Sequence, residues 1–209
     1  MEVNQQMRRR GVVPVVTLRN TEDAVPTAQA LLAGGLDVME VTLRTPCALE
    51  AIRRIAREAP RMCVGAGTVL TIGQTEQAAE AGAQFIVSPG FSGTQAAWCR
   101  ENGLMLLPGC VTATEILAAM EQGLHILKFF PAKTCGGLDG MHLLHGPFPE
   151  VRFVPTGGIN GENFLDYLAA PFIHAVGGSW LCPVQDIEAG RFAEITQRTQ
   201  TAMEKIGVR

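Results

Sequence analysis

Short runs rich in Val, Ile and Leu alternate eight times with Ala- and Glu-rich helical patterns along this chain, which restricts its fold more than any other feature. The apolar runs fall at 12–18, 37–44, 62–69, 85–89, 105–110, 125–131, 152–157 and 173–178. Helical patterns lie between them, including 21–33, 47–58, 94–102, 112–122 and 160–169. A short sixth helix is expected within 138–144, and a long helix over 187–206 closes the chain. Eight strand-then-helix units in 209 residues, about 26 each, match the count of a small (β/α)8 TIM barrel. The expected architecture is one α/β domain over 1–209, with a helical extension over about residues 1–10. A doubly wound open sheet is the structural alternative. Such sheets commonly carry an early Gly-rich nucleotide loop, and the first unit here has none.

Helix punctuation supports the division. Gly34-Gly35, Gly82, Gly103 and Gly123 each follow a helical pattern, where a left-handed C-terminal residue favours glycine. Asn20 is placed to cap the helix after it, with Glu22 and Asp23 in its first turn. Thr112 and Glu115 have the spacing of a capping box.

A net charge of −3, from 17 basic and 20 acidic residues, implies no polyelectrolyte partner. Arg8-Arg9-Arg10 is short and lacks aromatic interleaving, so a solvated helical turn is expected rather than a nucleic-acid or membrane contact. The apolar stretch after it contains Pro14 and leads to no small-residue cleavage site, which argues against a secretory signal. No run approaches the roughly 18 apolar residues of a membrane span. The six cysteines form no C-x-x-C pair, and some lie in apolar strand-like runs. Reduced packing cysteines and a cytoplasmic location are therefore expected.

In a barrel of this class, reactive groups gather at the C-terminal ends of the strands. The second run reads DVMEVTLR, and strand parity puts Glu40, Thr42 and Arg44 on one face, with Met39, Val41 and Leu43 on the other. Glu40 then points inward, either as a structural carboxylate paired with a charge or as a proton-transfer group. The third run ends VGAGT, too short of glycine for a dinucleotide loop. Gly65 and Gly67 are expected to leave space on one strand face, and Thr68 to offer a hydroxyl at the strand end. Ser88-Pro89-Gly90 and Pro108-Gly109 end the fourth and fifth runs, as turns or as pocket lining.

Gly157-Gly158 and Gly177-Gly178-Ser179 follow the seventh and eighth runs. Either pair alone is an ordinary turn. At those two ends together they point to phosphate binding through backbone N–H groups. The sixth run, HILKFFPA, places one lysine in a core strand. Lys128 shares parity with Ile126 and Phe130, so Leu127 and Phe129 face outward while Lys128 faces inward. It either snorkels or pairs with Glu40, or it serves as a neutral amine, which apolar surroundings and Arg44 would both favour. A neutral amine in a pocket forms Schiff bases with carbonyls. His125, His142, His145 and His174 show no metal-ligand spacing, and no metal or cofactor is expected.

EVTLRT at 40–45, GAGTVL at 65–70, SPG at 88–90, LPG at 107–109, KFFPA at 128–132, PTGGI at 155–159 and GGSW at 177–180 occur in this order. Together they closely resemble the bacterial 2-keto-3-deoxy-6-phosphogluconate (KDPG) aldolases, which often also act as 4-hydroxy-2-oxoglutarate (KHG) aldolases. The resemblance implies a metal-free class I aldolase on a (β/α)8 barrel, a homotrimer acting on a small keto acid or sugar phosphate. It implies Lys128 as the Schiff-base lysine and Glu40 as general acid/base. Arg44 and Thr68 would hold the pyruvate carboxylate, while Pro89 and Phe130 line the pocket. Thr156 would contact the hydroxyl-bearing part of the substrate, and Gly157, Gly158, Gly178 and Ser179 would take the phosphate. The segment 133–145 is the least family-like part. Two rival readings are a phosphate-binding isomerase or epimerase with Glu40 as base, and a non-catalytic barrel that senses a sugar phosphate.

Overall fold

Alternating β-branched runs and helices condense into eight short parallel strands in a computed structural model that describes residues 3–207. The strands are β1 (Val12–Val16), β2 (Val38–Thr42), β3 (Cys63–Gly67), β4 (Phe85–Val87), β5 (Met105–Leu107), β6 (Ile126–Phe129), β7 (Arg152–Pro155) and β8 (Val176–Gly178). Each lies inside its expected run. Helix α1 (Val3–Arg10) precedes β1. Between the strands come α2 (Ala24–Ala33), α3 (Ala48–Glu58), α4 (Ile72–Glu80), α5 (Gly93–Glu101), α6 (Ala113–Glu121), α7 (Gly137–His145) and α8 (Phe164–Ala169). After β8 the chain forms α9 (Val184–Glu188) and α10 (Phe192–Ile206).

Six strands pair in the order β5-β4-β3-β2-β1-β8, and β6 pairs with β7. Isolated parallel bridges join Gly109 to Lys128, Phe153 to Ile173 and Thr156 to Gly177. The result is a curled parallel sheet sheathed in helices, without the order reversal of a doubly wound sheet. Both faces of such strands are buried, which explains why the runs are nearly all apolar. Leu127 and Phe129 have no solvent exposure, and the Phe129 ring meets Phe153 edge-on at 5.7 Å.

The punctuation largely holds. Gly35, Gly82, Gly103 and Gly123 have positive φ at helix ends, whereas Gly34 stays right-handed. Thr112 and Glu115 form the capping box. Asn20 does not cap: residues Thr21–Asp23 form a 3-10 turn with no side-chain bond to its amides, and the Asn20 amide reaches Asp23 instead. The closing helix is two helices rather than one. Its expected span breaks between Glu188 and Phe192, where Gly190 has a φ of +67° and leaves the helical path.

All six cysteines are free. Burial pushes the thiols of Cys63 and Cys99 up to about 11, and those of Cys110 and Cys182 up to about 12. These are packing residues, as expected. Among the described residues, no helix is long and apolar enough to cross a membrane.

His174 ties α1 to the sheet by donating its Nε2 hydrogen to the Asn4 carbonyl at 2.8 Å. Burial lowers its pKa; the Asn4 carbonyl opposes the shift, while Arg8 and Arg152 add to it. The unfolded chain therefore takes up a proton near pH 6.5 that the folded imidazole resists. Stability should fall as pH drops below that value, until the folded histidine is itself protonated. Replacing His174 with Gln should flatten the melting temperature between pH 5 and 7 on the order of one proton's worth. An unchanged slope would remove His174 from the acid limb.

Candidate active site

The inward lysine of β6 finds a carboxylate from a strand that is not its neighbour. Lys128 Nζ lies 3.5 Å from Glu40 Oε1, and both residues are buried, 6% and 3% exposed. Neither charge reaches bulk water, so snorkelling is ruled out for Lys128. Burying two such groups costs several kcal/mol each before their attraction is counted. Glu40 Oε1 has no hydrogen-bond partner among the described residues, which leaves this acceptor oriented toward the lysine but not consumed. The Lys128 ammonium also lies 5.4 Å from the centroid of the Phe130 ring. The backbone at Lys128 is fixed against the segment after β5, since its N–H donates to the Pro108 carbonyl and its carbonyl accepts from Cys110 N–H.

The glycines of β3 explain how Glu40 gets there. Register pairs Glu40 with Gly65 and Thr42 with Gly67. A Cβ on Gly67 would overlap the Glu40 carboxylate, and one on Gly65 would overlap the Phe85 ring. Both were expected to leave space, and Gly67 leaves it for the acid. Gly67→Ala should displace the Glu40 carboxylate and lower kcat by about 100-fold, on the scale of a lost acid/base contribution. Steady-state kinetics would check this; a variant with wild-type kcat would show that Glu40 tolerates the shift.

At the mouth, Arg44 Nε donates to the Thr68 hydroxyl at 3.2 Å. Thr68 is the one non-glycine residue with positive φ among the described residues, at +57°. A β-branched residue there costs on the order of 1–3 kcal/mol, and such strain concentrates at functional sites. The neighbouring bonds Leu43 N–H to Gly67 and Val69 N–H to Val87 hold the loop in place.

Pro89 is exposed at the end of β4, and its carbonyl occupies the space that a Cβ on Gly109 would need. Pro89 thus lies at the strand ends beside the bridge from Gly109 to Lys128. Thr156 is 8% exposed, and Gly177 makes room for its hydroxyl. Gly157 and Gly158 have successive positive φ values of +96° and +82°. Their carbonyls are held by Lys133 N–H at 3.1 Å and Asn163 Nδ2 at 3.0 Å. Gly178 lies under the Trp180 ring, and Ser179 is exposed on a cavity of about 320 Å³ shared with Thr17 and Gln185.

The structure thus unites Lys128, Glu40 and Phe130 in one cluster, and Arg44 with Thr68 in another. Thr156, Gly157 and Gly158 form a third group at the end of β7. Sequence reasoning missed Thr17, whose hydroxyl lies 2.9 Å from that of Thr42. Thr17 lies within the expected first run, but a lone threonine at a strand end is no signal of a site until β1 pairs with β2. A groove of about 660 Å³ between Trp180 and α10 contains none of the candidate polar groups. His142 and His145 lie against Phe172, and among the described residues no cluster of His, Cys, Asp and Glu could hold a metal.

Residues 3–198 match the model of a family described as KDPG and KHG aldolase. The 2-dehydro-3-deoxy-phosphogluconate aldolase of Treponema pallidum (strain Nichols) is 48% identical over 204 residues, covering 98% of this chain and 97% of that protein. Among solved structures, a KDPG aldolase from Legionella pneumophila superposes with a TM-score of 0.92 at 38% identity, covering 95% of this chain and 97% of that one. It was crystallised with pyruvate captured at low pH as a covalent carbinolamine intermediate. The Zymomonas mobilis ZM4 enzyme, crystallised with 3-phosphoglycerate, superposes with a TM-score of 0.89 at 44% identity, covering 96% and 94%. With the family model spanning nearly the whole length and a buried lysine–glutamate pair at the strand ends, the chain belongs to the KDPG and KHG aldolase family.

Proposed function

We propose that this protein is a class I aldolase that cleaves 2-keto-3-deoxy-6-phosphogluconate to pyruvate and glyceraldehyde 3-phosphate, and 4-hydroxy-2-oxoglutarate to pyruvate and glyoxylate. The observation that carries this reading is the buried Lys128–Glu40 pair at 3.5 Å. An amine and a carboxylate kept from water at that distance suit imine formation coupled to proton transfer.

Lys128 passes a proton to Glu40 and its neutral Nζ attacks the C2 ketone to form a carbinolamine, which takes that proton back on its hydroxyl and loses water to give an iminium. Glu40, directly or through a water, takes the C4 hydroxyl proton. The C3–C4 electron pair then moves into the iminium, releasing the aldehyde and leaving an enamine on Lys128. Protonation at C3 and hydrolysis free pyruvate and restore the amine. The iminium is the electron sink, so these steps draw on no metal or cofactor.

Arg44 and Thr68 hold the pyruvate carboxylate in this scheme, supported by their mutual hydrogen bond and by the strained Thr68 backbone. Phe130 and Pro89 line the pocket, and Thr156 meets the hydroxyl-bearing carbons. Gly157, Gly158, Gly178 and Ser179 take the phosphate, supported by the left-handed backbone at Gly157 and Gly158 and by their anchored carbonyls. The (β/α)8 barrel is part of the same proposal. The bridges from Gly109 to Lys128 and from Thr156 to Gly177 support closure of the sheet on itself. A cytoplasmic homotrimer completes the proposal, supported by the free buried thiols and by the family; sedimentation at about three chain masses checks the assembly.

Pyruvate release from each substrate, followed through coupled reduction by lactate dehydrogenase, tests the activity. Release from both is expected. Release from neither would overturn the assignment in favour of an isomerase or a non-catalytic binder.

A further inference from the structure

Lys133 follows the KFFPA motif, at the start of the least family-like segment, and was not among the candidate residues. Its stem runs along the glycine pair after β7. A Cβ built on Gly158 would lie 2.5 Å from Lys133 Cβ, 3.3 Å from Cγ and 3.0 Å from Cδ. The same residue's N–H holds the Gly157 carbonyl at 3.1 Å. The ammonium, two bonds beyond Cδ, therefore belongs to the loop whose amides would bind the phosphate. Lys133 is exposed and has no acidic partner among the described residues.

We propose that Lys133 is a specificity-determining residue that adds a mobile positive charge to the phosphate end of the pocket, and so favours phosphorylated over unphosphorylated keto-acid substrates. The inference rests on the aldolase reading and on the placement of phosphate at Gly157 and Gly158. Gly158 is needed here for two reasons. Its φ of +82° disfavours a side chain, and any Cβ would displace the Lys133 stem. Amides orient a phosphate but carry no net charge, so they distinguish a phosphate dianion from the nearer, singly charged carboxylate of 4-hydroxy-2-oxoglutarate weakly. An ammonium does so by Coulomb attraction, most strongly at low salt.

The test measures kcat/KM for KDPG and for 4-hydroxy-2-oxoglutarate in the wild-type protein and in Lys133→Met, Lys133→Glu and Lys133→Arg. Methionine keeps most of the stem, so packing along Gly158 is retained. The KDPG preference should fall about 10-fold in Lys133→Met and about 100-fold in Lys133→Glu, and return to within about twofold of wild type in Lys133→Arg, the loss residing in KM rather than kcat. The wild-type preference should also decline with added sodium chloride more steeply than that of Lys133→Met. A preference unmoved in both Lys133→Met and Lys133→Glu would overturn the inference while leaving the aldolase intact. Equal losses on the two substrates would also overturn it, because a structural role would not separate them. A wild-type protein that cleaves neither substrate would overturn the aldolase reading and this inference together.

Discussion

Lys128→Met should reduce aldol cleavage by on the order of 10⁵-fold, the scale expected when a covalent nucleophile is removed. Methionine has nearly the length of the lysine stem and no reactive amine, so the pocket keeps its volume. The loss should appear in kcat, because the substitution leaves the proposed carboxylate and phosphate ends of the pocket untouched. The same substitution has a structural consequence that separates two roles of the pair. It leaves Glu40 buried beside a thioether instead of an ammonium. Breaking a buried pair in this way costs up to about 3–5 kcal/mol. The double variant Lys128→Met/Glu40→Gln removes both charges and should recover much of the lost thermal stability without recovering turnover. If Lys128 were only a structural partner for Glu40, the double variant would be as active as Glu40→Gln alone. Calorimetry and coupled kinetics on the three proteins distinguish these outcomes.

Glu40→Gln should lower kcat by about 10³-fold, within the usual range for a positioned acid/base. The amide is isosteric and fits the space over Gly67, so the effect is chemical rather than steric. It cannot accept the C4 hydroxyl proton. Imine formation should persist at a reduced rate, since Lys128 remains, and reductive trapping should still label the protein. Wild-type turnover in Glu40→Gln would transfer the acid/base role to another group. Loss of both turnover and trapping would show that the carboxylate is needed to form the imine as well as to break the bond.

Much of this site is local in character and was legible in the residue pattern. Period-two parity put Glu40 and Lys128 inward, because a strand has only two faces. All eight strands were found in their expected runs, since short β-branched segments between helices leave little choice. Local amide chemistry was less reliable: the capping box at Thr112 formed, yet Asn20 turned its amide to Asp23. The closing helix was read through Gly190 because a single glycine is tolerated in many helices, and only the packed fold shows that it breaks this one.

The missing parts depend on register between strands. Gly67 accommodates Glu40 because β2 and β3 pair Thr42 with Gly67, a relation no single run encodes. The hydroxyl pair of Thr17 and Thr42 arises from β1 and β2 in the same way. Lys133 lies 25 residues before Gly158 in the chain and meets it only when β6 and β7 pair. The strain at Thr68 is equally a product of the fold, as nothing in its type predicts a left-handed backbone.

The central claim is that Lys128 is the nucleophile of an imine mechanism, and reductive trapping tests it most directly. The protein is incubated with pyruvate, reduced with sodium borohydride, digested and analysed by peptide mass spectrometry. The account predicts one stable pyruvyl adduct, located on Lys128 and lost in Lys128→Met. A reduced adduct on another lysine, or none on a protein that still releases pyruvate from substrate, would contradict it.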